Sequence, residues 1–187
     1  MIRSFLAVDL PMALRESMVR ATMGLRTPAA DVKWVRPEGI HLTLKFFGNI
    51  EEGQVEPIVN AVSGVITGQK PLSLKAEGIG AFPDLRRPRV IWIGMTGDIE
   101  RLMVIQKNIE QVLSVLGFPA EDRPFTPHLT LGRVRFYKRA SDLAHKIEGL
   151  KDINLTPFTV NELILYKSAL RPEGAIYTPL RRLPLIG

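Results

Sequence analysis

The chain has 187 residues, a length that suits one large domain or two small lobes sharing a core. It contains no cysteine, which excludes disulfides and thiolate chemistry, and no apolar run approaches the roughly 18 residues that a membrane-spanning helix needs. Apolar residues make up 45% of the chain, and the net charge of +6 favours nucleic acids or phosphorylated ligands as partners. We therefore expect a cytoplasmic monomer that does not associate with membranes.

The first half of the chain alternates between strand and helix patterns. An apolar segment at residues 2–9 stops before Pro11 and predicts a buried strand, and Pro11 suits the first turn of a helix. A second helix is predicted at residues 55–66, where apolar residues follow helical spacing. The other strands predicted in this half are 33–35, 41–47 and 72–79.

The second half repeats this order. An apolar strand is predicted at residues 90–95, and Asp98 suits the N-cap of the following helix, which Gly117 and Pro119 end. The apolar face predicted for that helix consists of Leu102, Ile105, Ile109, Val112 and Leu116. The remaining predictions are strands at 128–135, 153–160, 162–166 and 176–180 and a short helix carrying Leu143, Ile147 and Leu150.

One tetrapeptide links the two halves. His-Leu-Thr-Leu begins at His41 and again at His128, although the chain has only three histidines. Ser4 lies 37 residues before His41, and Ile91 lies 37 residues before His128. The matched spacing favours an internal duplication over accidental similarity within an ordinary α+β domain. We predict a single bilobal domain over residues 1–187, with pseudo-symmetric lobes at about 1–85 and 86–187 that can exchange strands.

The motif places two polar side chains on one face of a strand. Side chains alternate along a strand, so His41 and Thr43 share a face while the two leucines pack inwards, and His128 and Thr130 do the same. If the lobes are related by pseudo-twofold symmetry, these faces meet across a cleft. One imidazole can then accept a proton while the other donates one, and the hydroxyls can bind non-bridging phosphate oxygens.

Two other interpretations of these histidines compete with an active site. A lone His-x-Thr is most simply an ordinary half-exposed strand, but two copies in a duplicated frame favour an active site. Zinc takes three or four His, Cys or carboxylate ligands, whereas this chain has no cysteine and no His-Glu-x-x-His sequence. His145 lies on a predicted surface helix and is interpreted as a solvated residue. We expect neither a metal nor another cofactor.

The segments SFLAVDLP, WVRPEGIHLTLKFFGNI, PRVIWIG and FTPHLTLGRV resemble the two-histidine phosphoesterases, in particular the RNA 2′,3′-cyclic phosphodiesterases, also called 2′-5′ RNA ligases. The resemblance covers essentially the whole chain. It implies an α+β fold of two pseudo-symmetric lobes, each an antiparallel sheet with outer helices, around a central cleft. It also implies metal-independent hydrolysis of a terminal 2′,3′-cyclic phosphate to a 2′-phosphate, with His41 as proton donor and His128 as proton acceptor.

Further substrate-binding residues are less directly indicated. Similar enzymes often carry a basic residue where Arg133 stands and use it to hold phosphate. Strict alternation puts Arg133 on the face opposite His128, so this role requires a bulge or a strand end. Phe46, at the matching place in the first half, either stacks on a terminal base or packs in the core. The basic loop Arg86–Arg89 either follows the RNA backbone or is simply solvated.

Three functions remain open on the sequence. The first is hydrolysis of RNA ends that carry a 2′,3′-cyclic phosphate, among them transfer RNA fragments. The second is the reverse reaction, which joins such an end to a 5′-hydroxyl through a 2′-5′ linkage. The third is an RNA-end-binding module without turnover, which the presence of both histidines and both threonines disfavours.

Overall fold

Strands and helices alternate along residues 1–28, 30–137, 140–171 and 174–187, the parts of the chain that a computed structural model describes. The strands are β1 (Ile2–Val8), β2 (Ala30–Trp34), β3 (Leu42–Ile50), β4 (Leu72–Phe82), β5 (Val90–Gly97), β6 (His128–Tyr137), β7 (Phe158–Val160), β8 (Glu162–Arg171) and β9 (Gly174–Pro184). The α-helices are α1 (Met12–Ala21), α2 (Val55–Ile66), α3 (Ile99–Val115) and α4 (Ala140–Glu148). The strand predicted at 153–160 is shorter than expected, whereas β8 and β9 are longer.

The strands form one curled antiparallel sheet. Their order is β7-β4-β5-β6-β3-β1-β8-β9, with β2 also paired to β6. The sheet therefore consists of two similar halves, β7-β4-β5-β6 and β3-β1-β8-β9, which meet where β6 adjoins β3. The predicted α+β class is confirmed, and a single pair of residues, Leu42 opposite Leu129, joins the two halves of the sheet.

Strands cross between the two halves of the sheet. β4 belongs to the first half of the sequence but pairs with β5 and β7, while β8 and β9, at the end of the chain, return to β1. A sequence boundary near residue 85 therefore separates β4 from the strands with which it pairs. This exchange brings side chains from distant parts of the sequence to each motif.

Helices α2 and α3 contact each other and cover the core face of the sheet. Their buried apolar residues have the same spacing, namely Val55, Ile58, Val62 and Ile66 in α2 and Leu102, Ile105, Ile109 and Leu113 in α3. Leu116 was predicted on the buried face of α3 but follows the helix end and is 39% exposed. Asp98 is the N-cap residue of α3, as predicted, but its carboxylate accepts hydrogen bonds from the Ser73 N–H and the Arg101 side chain and makes no capping bond to a backbone N–H of the helix.

Candidate active site

The two His-Leu-Thr-Leu motifs lie side by side at the junction of the sheet. Leu42 and Leu129 face each other in antiparallel register, and neither side chain has any exposed surface. Both point into the main hydrophobic core beneath the sheet. Because side chains alternate along a strand, the residues on either side of each leucine point to the opposite face of the sheet.

The same register places His41 beside Thr130 and Thr43 beside His128. Directly opposite residues of an antiparallel pair have Cβ atoms about 4.5–5.5 Å apart, and diagonal neighbours about 7–8 Å. His41 and His128 are such a diagonal pair, close enough for both rings to reach one phosphate group. The four polar side chains that the sequence predicted to share a site are thus brought together.

Each histidine is held by the backbone two residues before it. Nδ1 of His41 lies 2.8 Å from the carbonyl oxygen of Gly39, and Nδ1 of His128 lies 2.7 Å from that of Thr126. A carbonyl oxygen can only accept a hydrogen bond, so Nδ1 carries a proton in both rings. Nε2 of each imidazole is therefore the nitrogen available to exchange a proton with a ligand.

His41 is enclosed by aromatic rings. Its imidazole stacks on Phe5 with ring centroids 4.6 Å apart, and the edge of Tyr177 lies 5.0 Å away. Burial lowers the pKa of His41 from 6.5 to about 4; the hydrogen bond to Gly39 opposes this shift and the charge of Arg15 adds to it. The imidazole is therefore neutral near pH 7 in the free protein.

The backbone before His41 is fixed by a buried arginine. Nε and one terminal nitrogen of Arg15 each donate a hydrogen bond of 3.1 Å to the Ile40 carbonyl, and the same guanidinium forms an ion pair with Asp9. Burial, and then the charge of Asp9, raises the pKa of Tyr166 to about 12. The contacts of Arg15 with Asp9 and with the Ile40 carbonyl hold the end of β1 against the start of the first motif.

His128 has its own aromatic neighbour. The ring of Phe82 lies edge-on at 5.0 Å from His128 and also contacts Trp92 at 5.1 Å. Neither Phe82 nor Tyr177 was predicted as a site residue, because each comes from an exchanged strand. Phe5 was also missed, although strict alternation in β1 gave a signal, since it places Phe5 on the face opposite the core residue Leu6.

A β-bulge follows the threonine of each motif. The register between β1 and β3 runs from Thr43 to Lys45 and skips Leu44, and the register between β5 and β6 skips Leu131 in the same way. An extra residue in one strand shifts the alternation of faces by one position. Side chains beyond each bulge therefore point to the face opposite the one that strict alternation predicts.

The bulges turn Phe46 and Arg133 towards the histidines. Phe46 is 41% exposed, with the Arg3 guanidinium 4.6 Å from its ring centroid, so the alternative that it packs in the core is wrong. Burial raises the pKa of Tyr177, and the nearby guanidinium groups of Arg133 and Arg3 oppose that shift. Arg133 thus lies near the ring that contacts His41, and the face expected from strict alternation is wrong.

A cleft of about 1250 Å³ opens beside the motifs. Thr43 and His128 belong to its lining, and the walls come from β3, α3, residues 120–126 and the segment around Phe82. Of the predicted basic loop, Arg89 lines this cleft. The cleft therefore connects the paired motifs with an accessible surface that carries positive charge.

Other candidate residues lie elsewhere. Arg86 and Arg87 are exposed in a turn where their backbone N–H groups donate to the Asp84 carboxylate, and His145 on α4 borders a separate shallow pocket. Among the residues that the structure describes, no group of three or more His, Asp or Glu side chains could hold a metal ion.

The sequence model of the family described as LigT like Phosphoesterase matches residues 8–92 and again residues 93–177. The chain belongs to this family. The predicted membership of the two-histidine phosphoesterases is thereby confirmed. The two successive matches also agree with the internal duplication, since each contains one His-Leu-Thr-Leu motif.

Curated members of the family cover nearly the whole chain. A Methanothermobacter thermautotrophicus protein named RNA 2′,3′-cyclic phosphodiesterase is 37% identical, over 96% of this chain and 96% of its own length. A Methanocaldococcus jannaschii protein of the same name is 36% identical, over 96% of this chain and 99% of its own length.

Solved structures of LigT like phosphoesterases have the same fold. A Thermus thermophilus protein superposes with a TM-score of 0.81 at 26% identity, covering 98% of both chains. Escherichia coli LigT complexed with 3′-AMP superposes with a TM-score of 0.76 at 27% identity, covering 100% of this chain and 99% of LigT. The fold predicted from the family resemblance is therefore confirmed.

The buried His41 predicts how the stability of this LigT like phosphoesterase depends on pH. The folded chain resists protonation of His41 down to about pH 4, whereas an unfolded histidine titrates near 6.5, so the unfolded state binds more protons between these values. The free energy of unfolding should therefore fall as the pH is lowered through that window. At 1.36 kcal/mol per pKa unit, this contribution reaches about 3 kcal/mol.

Urea unfolding of the wild type and of His41→Asn from pH 4 to pH 8 measures this contribution. The asparagine amide can still donate to the Gly39 carbonyl but does not titrate. The wild type should lose stability relative to the variant below pH 6.5, and the two pH profiles should run parallel above pH 7. Parallel profiles across the whole range would contradict the burial of a neutral imidazole.

Proposed function

We propose that this phosphoesterase hydrolyses the 2′,3′-cyclic phosphate at an RNA 3′ end to a 2′-phosphate, without a metal or other cofactor. The observation that carries this proposal is the matched pair of imidazoles, each held at Nδ1 by a backbone carbonyl and each left with Nε2 for proton exchange. The names of the curated relatives support the choice of substrate.

In the proposed reaction, Nε2 of His128 accepts a proton from a water molecule as its oxygen attacks phosphorus. The bond from phosphorus to O3′ breaks, and His41 protonates the departing O3′ through its own Nε2. The phosphate stays on O2′, and the two histidines return to their starting states by exchanging protons with solvent. General acid and base catalysis in one step needs the two rings on either side of the phosphorus, as their diagonal placement allows.

His41 must gain a proton before it can act as a donor. Its pKa of about 4 keeps it neutral in the empty site, but a bound phosphate carries negative charge that favours the imidazolium. The proposal therefore couples protonation of His41 to substrate binding. The imidazolium is then formed in the complex that uses it.

The neighbouring side chains have proposed binding roles. The hydroxyls of Thr43 and Thr130 donate hydrogen bonds to the non-bridging phosphate oxygens, where charge accumulates in the transition state. Arg133 supplies a positive charge on the same face, and Phe46 offers an exposed ring on which the terminal base can stack.

Incubation of the protein in excess EDTA with a 5′-labelled oligonucleotide that ends in a 2′,3′-cyclic phosphate tests the reaction. The expected product is a 2′-phosphate end formed at an undiminished rate, because the imidazoles supply both proton transfers. A longer strand in the presence of a 5′-hydroxyl acceptor would instead show ligation, and a mobility shift without product would show binding alone. Activity lost in EDTA and restored by zinc or magnesium would contradict metal independence.

Two observations bear on the location and the partners of the protein. In the described parts of the chain, every helix is too short or too polar to cross a membrane. The complex of Escherichia coli LigT with 3′-AMP is consistent with recognition of an RNA end. Transfer RNA fragments as substrates, a monomeric state and a cytoplasmic location stay as predictions from the sequence.

A further inference from the structure

The cleft is larger than the reaction at one phosphate requires. Its volume of about 1250 Å³ exceeds the roughly 300–1,000 Å³ typical of small-ligand pockets. Of the paired motifs, Thr43, Leu44 and His128 line it. Most of its lining comes instead from α3, residues 120–126 and the segments around Phe82 and Arg89.

Three cations border this space. Arg89 precedes β5, Lys107 lies on α3, and Arg123 lies in the segment before β6; all three are exposed and line the cleft. None of them forms an ion pair with any residue that the structure describes. Of the two carboxylates in the lining, Glu110 is paired with Lys45, and Glu121 is exposed.

Exposed apolar side chains line the same cleft as these cations. Met103 and Val104 on α3 are 44% and 59% exposed, and they line the cleft together with Phe46 and Phe125. Apolar and aromatic surface bordered by cations is the combination that binds single-stranded nucleic acid, since bases stack on the former and phosphates pair with the latter. A lone nucleotide would leave most of this surface uncovered.

We propose that this part of the cleft binds the single-stranded RNA that adjoins the cyclic phosphate, so that the enzyme is selective for oligonucleotides over cyclic mononucleotides. The inference rests on the proposed function, because it takes the reacting phosphate to lie at His128. Arg89, Lys107 and Arg123 contact successive backbone phosphates, and the apolar side chains contact bases without reading their sequence. The wild type should therefore have a higher kcat/KM on a tetranucleotide 2′,3′-cyclic phosphate than on a mononucleotide, by on the order of tenfold or more.

The combined variant Arg89→Ala, Lys107→Ala and Arg123→Ala tests the assignment. The ratio of tetranucleotide to mononucleotide kcat/KM should fall at least tenfold. The logarithmic salt dependence of tetranucleotide binding should become shallower by about 2, since each single-strand phosphate contact contributes about 0.7. The matched control replaces three exposed cations that do not line the cleft, Lys70, Lys151 and Arg171, by alanine, and it should leave the ratio unchanged.

The outcomes separate this inference from the proposed function. Equal turnover of both substrates by the wild type, or an unchanged ratio in the Arg89, Lys107 and Arg123 variant, would overturn the inference while the hydrolysis itself stands. An equal loss in the control variant would also overturn it, because the effect would then be general charge attraction. The Kd of a labelled tetranucleotide that ends in a 2′-phosphate tests the inference even if no cyclic phosphate is hydrolysed. The Arg89, Lys107 and Arg123 variant should bind this tetranucleotide at least tenfold more weakly than the wild type.

Discussion

Replacing either motif histidine by alanine is expected to lower kcat/KM on a 2′,3′-cyclic phosphate substrate by ~10²–10⁴-fold or more, the usual contribution of general acid or base catalysis. Both rings border the candidate site rather than the main core, so the variants should remain folded. The double variant should lose far less than the product of the two single losses, because the residues act as one unit. Initial rates together with circular dichroism spectra of each variant check these expectations.

The pH dependence distinguishes a loss of chemistry from a loss of binding. The proposed mechanism requires one proton shared between the two histidines, so the acidic limb of kcat/KM should mark the gain of a second proton, whichever ring is the donor. The pKa of His41 places this limb at about pH 4, whereas the ordinary pKa of histidine would place it near pH 6.5. In the residual activity of His41→Ala, which has no donor to keep protonated, the alkaline limb should disappear.

His145 provides the internal control for these variants. It lies on α4, outside the cleft, so His145→Ala should change kcat/KM little. A loss in His145→Ala as large as in either motif variant would end the paired-histidine mechanism. Near-normal turnover by His41→Ala would do the same.

The sequence was sufficient to predict the motif pair and its setting. Alternation within His-Leu-Thr-Leu depends only on local backbone geometry, and the buried leucines at 42 and 129 follow it. The duplication was readable because both halves preserve the same order of elements at the same spacing. Together these features predicted which four side chains share a site, although not the register that joins them.

The parts that the sequence missed depend on contacts between distant segments. Tyr177 and Phe82 approach the histidines only because β9 and β4 are exchanged between the halves of the sheet. The low pKa of His41 arises from burial beside such rings and therefore has no local signal. The bulges could not be predicted either, because an extra residue is recognised only by comparison with the partner strand. The bulge at Leu131 reversed the expected orientation of Arg133.

The bulge after Thr43 also buries an ion pair. Breaking this ion pair is expected to cause the largest loss of stability among the proposed variants. Strict alternation would place Lys45 on the face of His41, but the bulge turns it into the protein, where it is 3% exposed. Its Nζ lies 2.7 Å from the Glu110 carboxylate and 2.6 Å from the Pro119 carbonyl oxygen. Gln106 donates hydrogen bonds to Glu110 and to the Leu44 carbonyl. The network therefore holds α3 and the segment that begins at Pro119 against β3.

Lys45→Met is expected to lower the free energy of unfolding by about 3–5 kcal/mol, because it leaves the Glu110 carboxylate buried without a counter-charge. Urea unfolding at pH 7 measures the loss, and an unchanged m-value shows that unfolding remains a two-state transition. Adding Glu110→Gln removes the stranded charge, so the double variant should be more stable than Lys45→Met alone. The exposed pair Arg20–Glu16 gives the matched control, since Arg20→Met should cost less than about 1 kcal/mol. Equal losses in Lys45→Met and Arg20→Met, or a double variant less stable than Lys45→Met, would show that the buried charge is not the cause.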